Sequence, residues 1–287
     1  MKGILLAGGK GTRLFPSSKS VSKHLFPVYD KPMIYYPLST LMLAEIQEIL
    51  IISDENSLPL LKKLLGDGSQ WGLSLAYETQ HSPNGIAEAL LIAEKFLSGS
   101  PASLILGDNI FYGAGFYDIL IKAKKLKKGA NIFAYSVSDP SSFGVIELDK
   151  NVKPISLEEK PLEPKSKFAV PGLYFYDNQA VEIAKSINPS GNGELEISFV
   201  NQIYLERNQL EVEILGRGMA WLDAGTAENL LAASQFVQTI EQRQGWKIAV
   251  PEEIAWRLGW INSQHLLHLS DEMKNTYGDY LRNLVIS

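Results

Sequence analysis

Three glycines that directly follow a short apolar run could wrap the backbone around an anion. The apolar run is residues 3–7, and Gly8, Gly9 and Gly11 come after it. Glycine adopts positive φ angles without strain, so the amide N–H groups of such a loop can converge on one negative charge. The run is apolar throughout, which is typical of a central strand in a parallel sheet. The loop then lies at the carboxyl end of that strand, where such sheets bind ligands.

Two cations extend this loop. Arg13 carries a planar guanidinium that can hold two phosphate oxygens at once, and Lys23 supplies a compact point charge. Together with the glycines, these residues predict a polyphosphate site. Spacing alone leaves one alternative open, a tight turn whose glycines serve only the backbone.

Two better-known glycine motifs do not fit the stretch. The dinucleotide fingerprint GxGxxG would begin at Gly9 but has Leu14 where its third glycine belongs. The P-loop, GxxxxGK[ST], fails because Lys10 is followed by Gly11. The predicted phosphate site is therefore of a different kind.

Two aspartates each end an apolar stretch further along the chain. Asp108 follows residues 104–107, and Asp223 follows residues 219–222. Because the carboxyl ends of strands face one crevice in an open α/β sheet, we expect both carboxylates beside the glycine loop. Carboxylate oxygens with room left for water and phosphate suit Mg²⁺. Taken singly, each could instead be a turn or capping residue, since Asp223 stands shortly before a predicted helix.

Composition limits the classes of partner. The chain has 287 residues, enough for a sizeable core without metal or disulfide support, and it contains no cysteine. Its net charge of −5 gives no reason to expect nucleic acid or an acidic membrane surface as a partner. We see no signal-peptide core and no run of ~18 apolar residues, so we expect a cytoplasmic protein without a membrane partner.

Apolar periodicity predicts an α/β framework for these residues. Strand and helix patterns alternate up to residue 126, including one helix over 86–97, and this rhythm predicts a mostly parallel sheet with helices on both faces. Residues 132–175 instead favour short antiparallel strands, the last over 168–175, which we expect to cover the active-site face. We predict one structural unit, with an α/β core over 1–240 and a helical tail over 241–287.

The opening residues resemble a known signature. LLAGGKGTRLFP at 5–16 and SKHLFPVYDKPMIYYPLS at 22–39 are similar to the motif of sugar-1-phosphate nucleotidylyltransferases, and the likeness extends through almost the whole chain. The resemblance implies the Rossmann-like nucleotidyltransferase fold. LGDN at 106–109 and WLDAGT at 221–226 match the family's two metal-binding segments, which implies that Asp108 and Asp223 bind Mg²⁺.

The same resemblance implies two substrate sites. In the nucleotide site, Gln80 and Gly85 would read thymine or uracil, and the nucleotide-binding residues would be Leu6, Gly8, Gly9, Gly11, Thr12, Arg13, Gln80, Gly85 and Asp108. The sugar-phosphate pocket would be formed by Gly144, Glu159, Lys160, Val170, Gly172, Tyr174 and Trp221. The catalytic candidates are Arg13 and Lys23, which would stabilise the departing pyrophosphate, and Lys160, which would orient the sugar phosphate.

Family members are typically homotetramers, and several carry a regulatory nucleotide-sugar site at a subunit contact. The residues that would fall near such a site here are Tyr112, Arg217, Glu253 and Arg257. Plain core or subunit packing is the other reading of this tail region, which includes Trp256 and Trp260.

The chain also departs from the family pattern. Relatives carry serine at Lys10 and glutamine at both His24 and Glu88, and Asn192 stands where an arginine usually contacts phosphate. Losing such a hydrogen-bond donor to a charged phosphate oxygen could cost about 1.5–3 kcal/mol of binding free energy.

The resemblance therefore implies a reaction of two substrates, dTTP and a hexose-1-phosphate such as glucose-1-phosphate. The sugar phosphate would attack the α-phosphorus of dTTP in line, with Mg²⁺ as cofactor, and pyrophosphate would leave. Use of UTP or of a modified sugar phosphate remains open. So does a catalytically weak sugar-nucleotide binder with a regulatory role, which the departures at Asn192 and His24 favour.

Overall fold

A computed structural model describes residues 1–286 of the protein. The strands of this part are β1 (Lys2–Leu6), β2 (Pro27–Val28), β3 (Lys31–Pro32), β4 (Glu48–Ser53), β5 (Ser74–Thr79), β6 (Ala102–Leu106), β7 (Asn109–Tyr112), β8 (Ala130–Ser136), β9 (Gly144–Leu148), β10 (Pro154–Glu159), β11 (Phe168–Ala169), β12 (Leu173–Tyr176), β13 (Leu210–Leu215) and β14 (Ala220–Asp223). The helices are α1 (Tyr35–Leu43), α2 (Leu58–Leu65), α3 (Glu88–Ile92), α4 (Glu94–Leu97), α5 (Phe116–Lys124), α6 (Ala180–Ser186), α7 (Ile197–Glu206), α8 (Ala227–Gln244), α9 (Pro251–Arg257), α10 (Ser263–Glu272) and α11 (Thr276–Ile286).

Within residues 1–286, one ten-stranded sheet forms the centre of the molecule, with β1 between β6 and β4. Strands β6, β1, β4 and β5 run parallel. Ile4 and Leu5 of β1 are both fully buried and point to opposite faces of the sheet. Leu5 packs in a core with α1 and the tail helices, whereas Ile4 packs in a second core with α3, α6 and α7. The α/β fold class with helices on both faces is confirmed.

The antiparallel strands of the middle third extend the main sheet, so the expectation that they cover its active-site face was wrong. β12 pairs antiparallel with both β6 and β8, and β9 and β10 continue the sheet beyond β11. The strand predicted over 168–175 is two strands, β11 and β12. Pro171 lies between them and has no N–H for the ladder.

The structure also differs from the predictions in one helix and two strands. The helix predicted over 86–97 is broken at Ala93 into α3 and α4, and the apolar stripe continues across the break, which is why periodicity did not reveal it. Strands β7 and β13 were not predicted. Each is short or alternates polar with apolar side chains, and pairing with β14 and β8 respectively stabilises it.

The tail packs directly on the core. Glu252 of α9 is buried, where it accepts hydrogen bonds from Trp71 Nε1 at 3.1 Å and from Tyr277 Oη at 2.8 Å. Helix α8 runs to Gln244, across the predicted boundary at residue 240, so that division stays a prediction. None of the helices within 1–286 is long and apolar enough to cross a membrane.

Candidate active site

Two cavities meet at the carboxyl end of the parallel strands. The strand-end cavity, of about 200 Å³, is lined by Asp108 and by residues from β7, β9, β10, β12 and β14. The loop cavity, of about 610 Å³, is lined by Gly9, Lys10, Gln80 and other residues of the glycine-rich stretch and its neighbours. Lys23 lines the loop cavity and forms an ion pair with Asp108, so this pair joins the two cavities.

Many of the predicted site residues come together in the strand-end cavity. They are Arg13, Asp108, Gly144, Glu159, Lys160, Val170, Gly172, Tyr174, Trp221 and Asp223. They come from distant parts of the sequence. The main sheet, the separate two-stranded sheet of β7 and β14, and the glycine-rich loop bring them to one place. The predicted grouping of the sugar-phosphate residues with both aspartates is therefore geometrically possible.

Pairing of β7 with β14 brings the two aspartates together. The register places Asp223 opposite Asn109, and the Ala224 N–H donates to the Asp108 carbonyl at 3.0 Å. Asp223 does not cap α8, because Thr226 does so by accepting a hydrogen bond from Asn229 N at 3.2 Å. Asp223 Oδ1 instead accepts the Gly225 N–H at 2.9 Å.

The two carboxyls have different electrostatic surroundings. Burial alone would raise the pKa of Asp108, but the charge of Lys23, with its hydrogen bond and that of Asn109, lowers it to about 2. For Asp223, burial and the nearby charge of Asp108 raise the pKa, and Arg13 only partly opposes them. Asp108 is thus paired with a cation, while Asp223 faces the negative charge of Asp108.

This donor set fits a hard divalent cation. Both aspartates line the strand-end cavity, and the raised pKa of Asp223 indicates a place where added positive charge would be favourable. Among residues 1–286 there is no group of three or more His, Asp or Glu side chains that could hold a metal. A cation here would therefore take its remaining oxygens from water or phosphate, as Mg²⁺ commonly does.

Arg13 reaches the same place from the glycine-rich loop. A Cβ atom at Gly225 would lie 2.8 Å from both Arg13 Nη2 and Asp223 Oδ1, so glycine leaves room for that approach. Lys160 follows β10 with a positive φ of 43° and carries a side chain that is 56% exposed. Its Nζ lies 3.5 Å from Glu159 Oε1, which leaves most of its hydrogen-bonding capacity free.

The wall of the strand-end cavity is built around Asn109, which sequence reasoning did not single out. Asn109 Oδ1 accepts from Gly172 N at 3.0 Å and from Trp221 Nε1 at 2.7 Å, and its Nδ2 donates to Asp108 Oδ1 at 3.0 Å. One amide thus orients an aspartate, an indole and a backbone turn. The LGDN match contained this residue, but a role that depends on two long-range partners, Gly172 and Trp221, has no signal in local sequence.

Other lining residues were missed for the same reason. Phe143 packs edge-on against Trp221 with ring centroids 5.0 Å apart, and Ser198 and Asn201 reach the cavity from α7. The residues around Phe143 are typical of a turn, and those around Ser198 and Asn201 are typical of a helix, so neither stretch indicates a site. Only the packing of α7 under β10 brings the two helical residues to the site.

The glycine loop combines an open segment at Gly9 with an ordinary turn at Gly11. Gly9 has a φ of 96° and lines the loop cavity, where a side chain would meet nothing within 4 Å. Gly11, with a φ of 58°, begins the short 3₁₀ turn Thr12–Leu14, and its carbonyl accepts from Ser18 Oγ at 2.6 Å. Gly9 is thus open to a ligand. Gly11 forms part of a tight turn, which was the alternative interpretation of these glycines.

The remaining predicted nucleotide residues lie in or next to the loop. Gln80, which is only 6% exposed, packs so closely on the loop that a Cβ atom at Gly8 would lie 2.5 Å from its Oε1. Leu6 accepts the Gly107 N–H at 2.8 Å, and Thr12 accepts that of Phe15 at 3.2 Å. Gly85, with a φ of 104°, packs against the backbone of Leu195.

The four departures from the family pattern have separate surroundings. Lys10 lines the loop cavity. His24 is buried against Gly107 next to Ser22, and burial together with Lys23 lowers its pKa to about 3, which keeps the imidazole neutral.

Asn192 forms hydrogen bonds within its own turn, with Ser190 and Glu196, and lines neither cavity of the described chain. Glu88 accepts a hydrogen bond from Gln80.

The four residues proposed for regulation are only partly connected. Glu253 and Arg257 form an ion pair at 2.7 Å, and the Arg257 guanidinium lies 5.6 Å from the Trp246 ring. Tyr112 donates to Gln244 near the end of α8 at 2.8 Å. Arg217 lies in the turn after β13 and makes no hydrogen bond or ion pair with the other three within the described residues.

Comparison with known proteins identifies the family of this chain. A family model described as nucleotidyl transferase matches residues 2–240. The curated glucose-1-phosphate thymidylyltransferase of Neisseria meningitidis is 54% identical over 286 residues, 99% of each chain. That of Mycobacterium tuberculosis is 50% identical over 286 residues, again 99% of each chain.

Solved structures share the fold. A Bacillus anthracis chain described as a glucose-1-phosphate thymidylyltransferase in complex with a sucrose has a TM-score of 0.77 and 40% identity, covering 82% of this chain and 94% of its own. A UDP-glucose pyrophosphorylase complexed with UDP-glucose has a TM-score of 0.72 at 22% identity, covering 83% and 98%, and this likeness concerns the fold alone. The chain belongs to the nucleotidyl transferase family, which confirms the resemblance of its opening residues.

Proposed function

We propose that this enzyme joins dTTP to glucose-1-phosphate, forming dTDP-glucose and releasing pyrophosphate. Curated relatives at 50% and 54% identity carry this activity in their names. The observation that carries the proposal is the meeting of the two cavities at Lys23 and Asp108, with Arg13 and Asp223 beside them. With the sugar phosphate in the strand-end cavity and the nucleotide in the loop cavity, the reacting phosphates would meet at this charged junction.

The reaction needs no general base. The nucleophile is a phosphate oxygen of the sugar phosphate, which is already an anion. It forms a bond to the α-phosphorus of dTTP, the bond from that phosphorus to the α,β-bridging oxygen breaks, and pyrophosphate leaves with the electron pair. Positioning and charge neutralisation therefore carry most of the catalysis.

The charged side chains divide these tasks. Arg13 and Lys23 stabilise the pyrophosphate as it leaves, and the exposed amine of Lys160 orients the sugar phosphate. Glu159, Tyr174 and Trp221 form the sugar pocket, with Trp221 and Gly172 fixed by Asn109. Lys10, at the loop cavity, supplies the positive charge that Asn192 does not.

Asp108 and Asp223 would hold Mg²⁺ in this scheme. When bound, the ion would neutralise charge on the phosphate oxygens. Lys23 already neutralises Asp108 without a metal, which limits the cost of keeping that carboxylate buried.

Pyrophosphate release tests the proposal. Purified protein with glucose-1-phosphate and Mg²⁺ should release pyrophosphate with dTTP, and an Asp223→Asn variant should release it at least about a hundredfold more slowly. Absence of release with dTTP and with UTP from folded wild-type protein would contradict the proposal.

Three alternatives have distinct outcomes, two in the same assay and one in a binding measurement. Release with UTP alone would identify a UTP-using enzyme. UTP differs from dTTP by a 2′-hydroxyl group and by the 5-methyl group, and a methyl group in an apolar pocket is worth only about 1–3 kcal/mol. Release only with a modified hexose-1-phosphate would identify a different acceptor. A weak regulatory binder would bind dTDP-glucose without turnover, although the charged junction described above favours catalysis.

Assembly and location are further parts of the proposal. We propose a cytoplasmic homotetramer in which the region of Glu253 and Arg257 lies near a subunit contact. Light scattering should give about four times the mass of one chain, 31.8 kDa. A monomer at assay concentration would contradict the tetramer and remove the support for a regulatory site there.

A further inference from the structure

The amide of Gln80 is held in one orientation at the edge of the loop cavity. Its Nε2 donates to Glu88 Oε2 at 2.7 Å and to the Gly85 carbonyl at 3.4 Å. Within residues 1–286, its Oε1 has no hydrogen-bond partner, and it faces the loop at Gly8. Gln80 lines the loop cavity, and on the side of Gly8 its amide presents an acceptor, not a donor.

This orientation follows from the chemistry of the two partners. A carboxylate and a carbonyl only accept hydrogen bonds, so a flipped amide would place Gln80 Oε1 against two acceptors. Glu88 is half-buried at the start of α3, and its other oxygen accepts from Asn84 Nδ2 at 2.8 Å, which holds the carboxylate in place. A glutamine at position 88 could accept or donate and would not impose this choice.

We propose that Glu88 is a positioning residue that selects the base by fixing the acceptor of Gln80 toward it. This inference rests on the proposed function, in which Gln80 meets the edge of the pyrimidine. Thymine and uracil carry an N–H at N3, which can donate to Gln80 Oε1. Cytosine has an unprotonated N3, so the same oxygen would face another acceptor, and Glu88 prevents the flip that would relieve this clash.

Binding of dUTP and dCTP measures this effect, because the two nucleotides differ only at positions 3 and 4 of the ring. Calorimetry with Mg²⁺ and without sugar phosphate should show wild-type protein preferring dUTP. In Glu88→Gln, the ratio of the dCTP to the dUTP dissociation constant should fall about tenfold. The matched control is Glu94→Gln on α4, an exposed carboxylate paired with Lys185, which should keep the wild-type ratio.

An unchanged ratio in folded Glu88→Gln would overturn the inference while leaving the proposed function intact, provided that wild type releases pyrophosphate with dTTP. Wild type that binds neither nucleotide and releases no pyrophosphate would overturn both. If Glu88→Gln does not fold, Asn84→Ala removes the support of the Glu88 carboxylate at an exposed position. It should lower the ratio about threefold, and an unchanged ratio there would also overturn the inference.

Discussion

The strand-end cavity and the loop cavity are built by different means. The strand-end cavity is walled by sheet residues that hydrogen bonds and packing hold in place, such as Asn109, Tyr174 and Trp221. The loop cavity is lined largely by short turns, with exposed side chains such as those of Phe15 and Lys10. The difference indicates a more firmly held strand-end cavity, which in the proposed function selects the shape of the sugar, and a loop cavity that would depend on charge and a few backbone groups.

The largest effect should come from the junction that serves both cavities. Asp108→Asn removes the carboxylate that pairs with Lys23 and lines the strand-end cavity. We expect turnover to fall about 10²–10³-fold, because charge at the reacting phosphates is no longer balanced. Steady-state pyrophosphate release measures this, with Asp118→Asn on the exposed face of α5 as control. Turnover within twofold of wild type would exclude a role for Asp108 in the reaction.

A second substitution should impair the rigid cavity alone. In Gly172→Ala the added Cβ would lie 2.5 Å from Leu106 and 2.9 Å from Asn109 Oδ1, so the wall must shift. We expect the KM for glucose-1-phosphate to rise at least about tenfold, while nucleotide binding stays near wild type.

Gly191→Ala is the control for this substitution, because a Cβ there meets nothing within 4 Å. Equal weakening of nucleotide and sugar phosphate binding by Gly172→Ala would show that the two cavities are not independent.

The loop cavity should tolerate change better. Lys10→Ala removes an exposed cation, and we expect the KM for dTTP to rise about three- to tenfold, with a smaller difference at high salt because exposed charges are screened. Lys63→Ala on the exposed face of α2 is the control. A rise in the KM for dTTP of a hundredfold or more that does not depend on salt would mean that the loop cavity is as rigid as the strand-end cavity.

The smallest effect on activity should come from a carboxylate outside both cavities. Burial would raise the pKa of Asp177, but hydrogen bonds from Gly129 N, Tyr204 Oη and Gln179 lower it. Its stabilisation is therefore present above the ordinary aspartate pKa and is lost as the pH falls through the lowered value. Asp177→Asn should lower the free energy of unfolding by about 1.5–3 kcal/mol at neutral pH, and by less below about pH 4.

Urea unfolding at several pH values checks this prediction for Asp177, alongside pyrophosphate release. The KM for either substrate should not change. A difference in unfolding free energy that grows as the pH falls would contradict the sign of the argument.

The contrast between local residues and residues that depend on strand pairing explains how much the sequence could predict. Gly9, Arg13 and Lys23 lie in one local stretch, and Asp108 follows a buried parallel strand, so spacing and sheet geometry were enough to predict that they lie close together. Asp223 reaches the same place by a different route, because β14 pairs with β7 in a separate two-stranded sheet. The central parallel strands were predictable because they are apolar throughout. Asn109 and the split at Pro171 depend on which strands pair across the sheet, and no periodicity encodes those pairings.

A crystal structure with dTDP-glucose and Mg²⁺ bound would test the central claim most directly. The account predicts the glucosyl group in the strand-end cavity between Glu159 and Trp221, thymine beside Gln80, and the diphosphate between them near Asp108. A product whose glucosyl group lies outside the strand-end cavity, or whose base lies away from Gln80, would contradict the division of one active site between these two cavities.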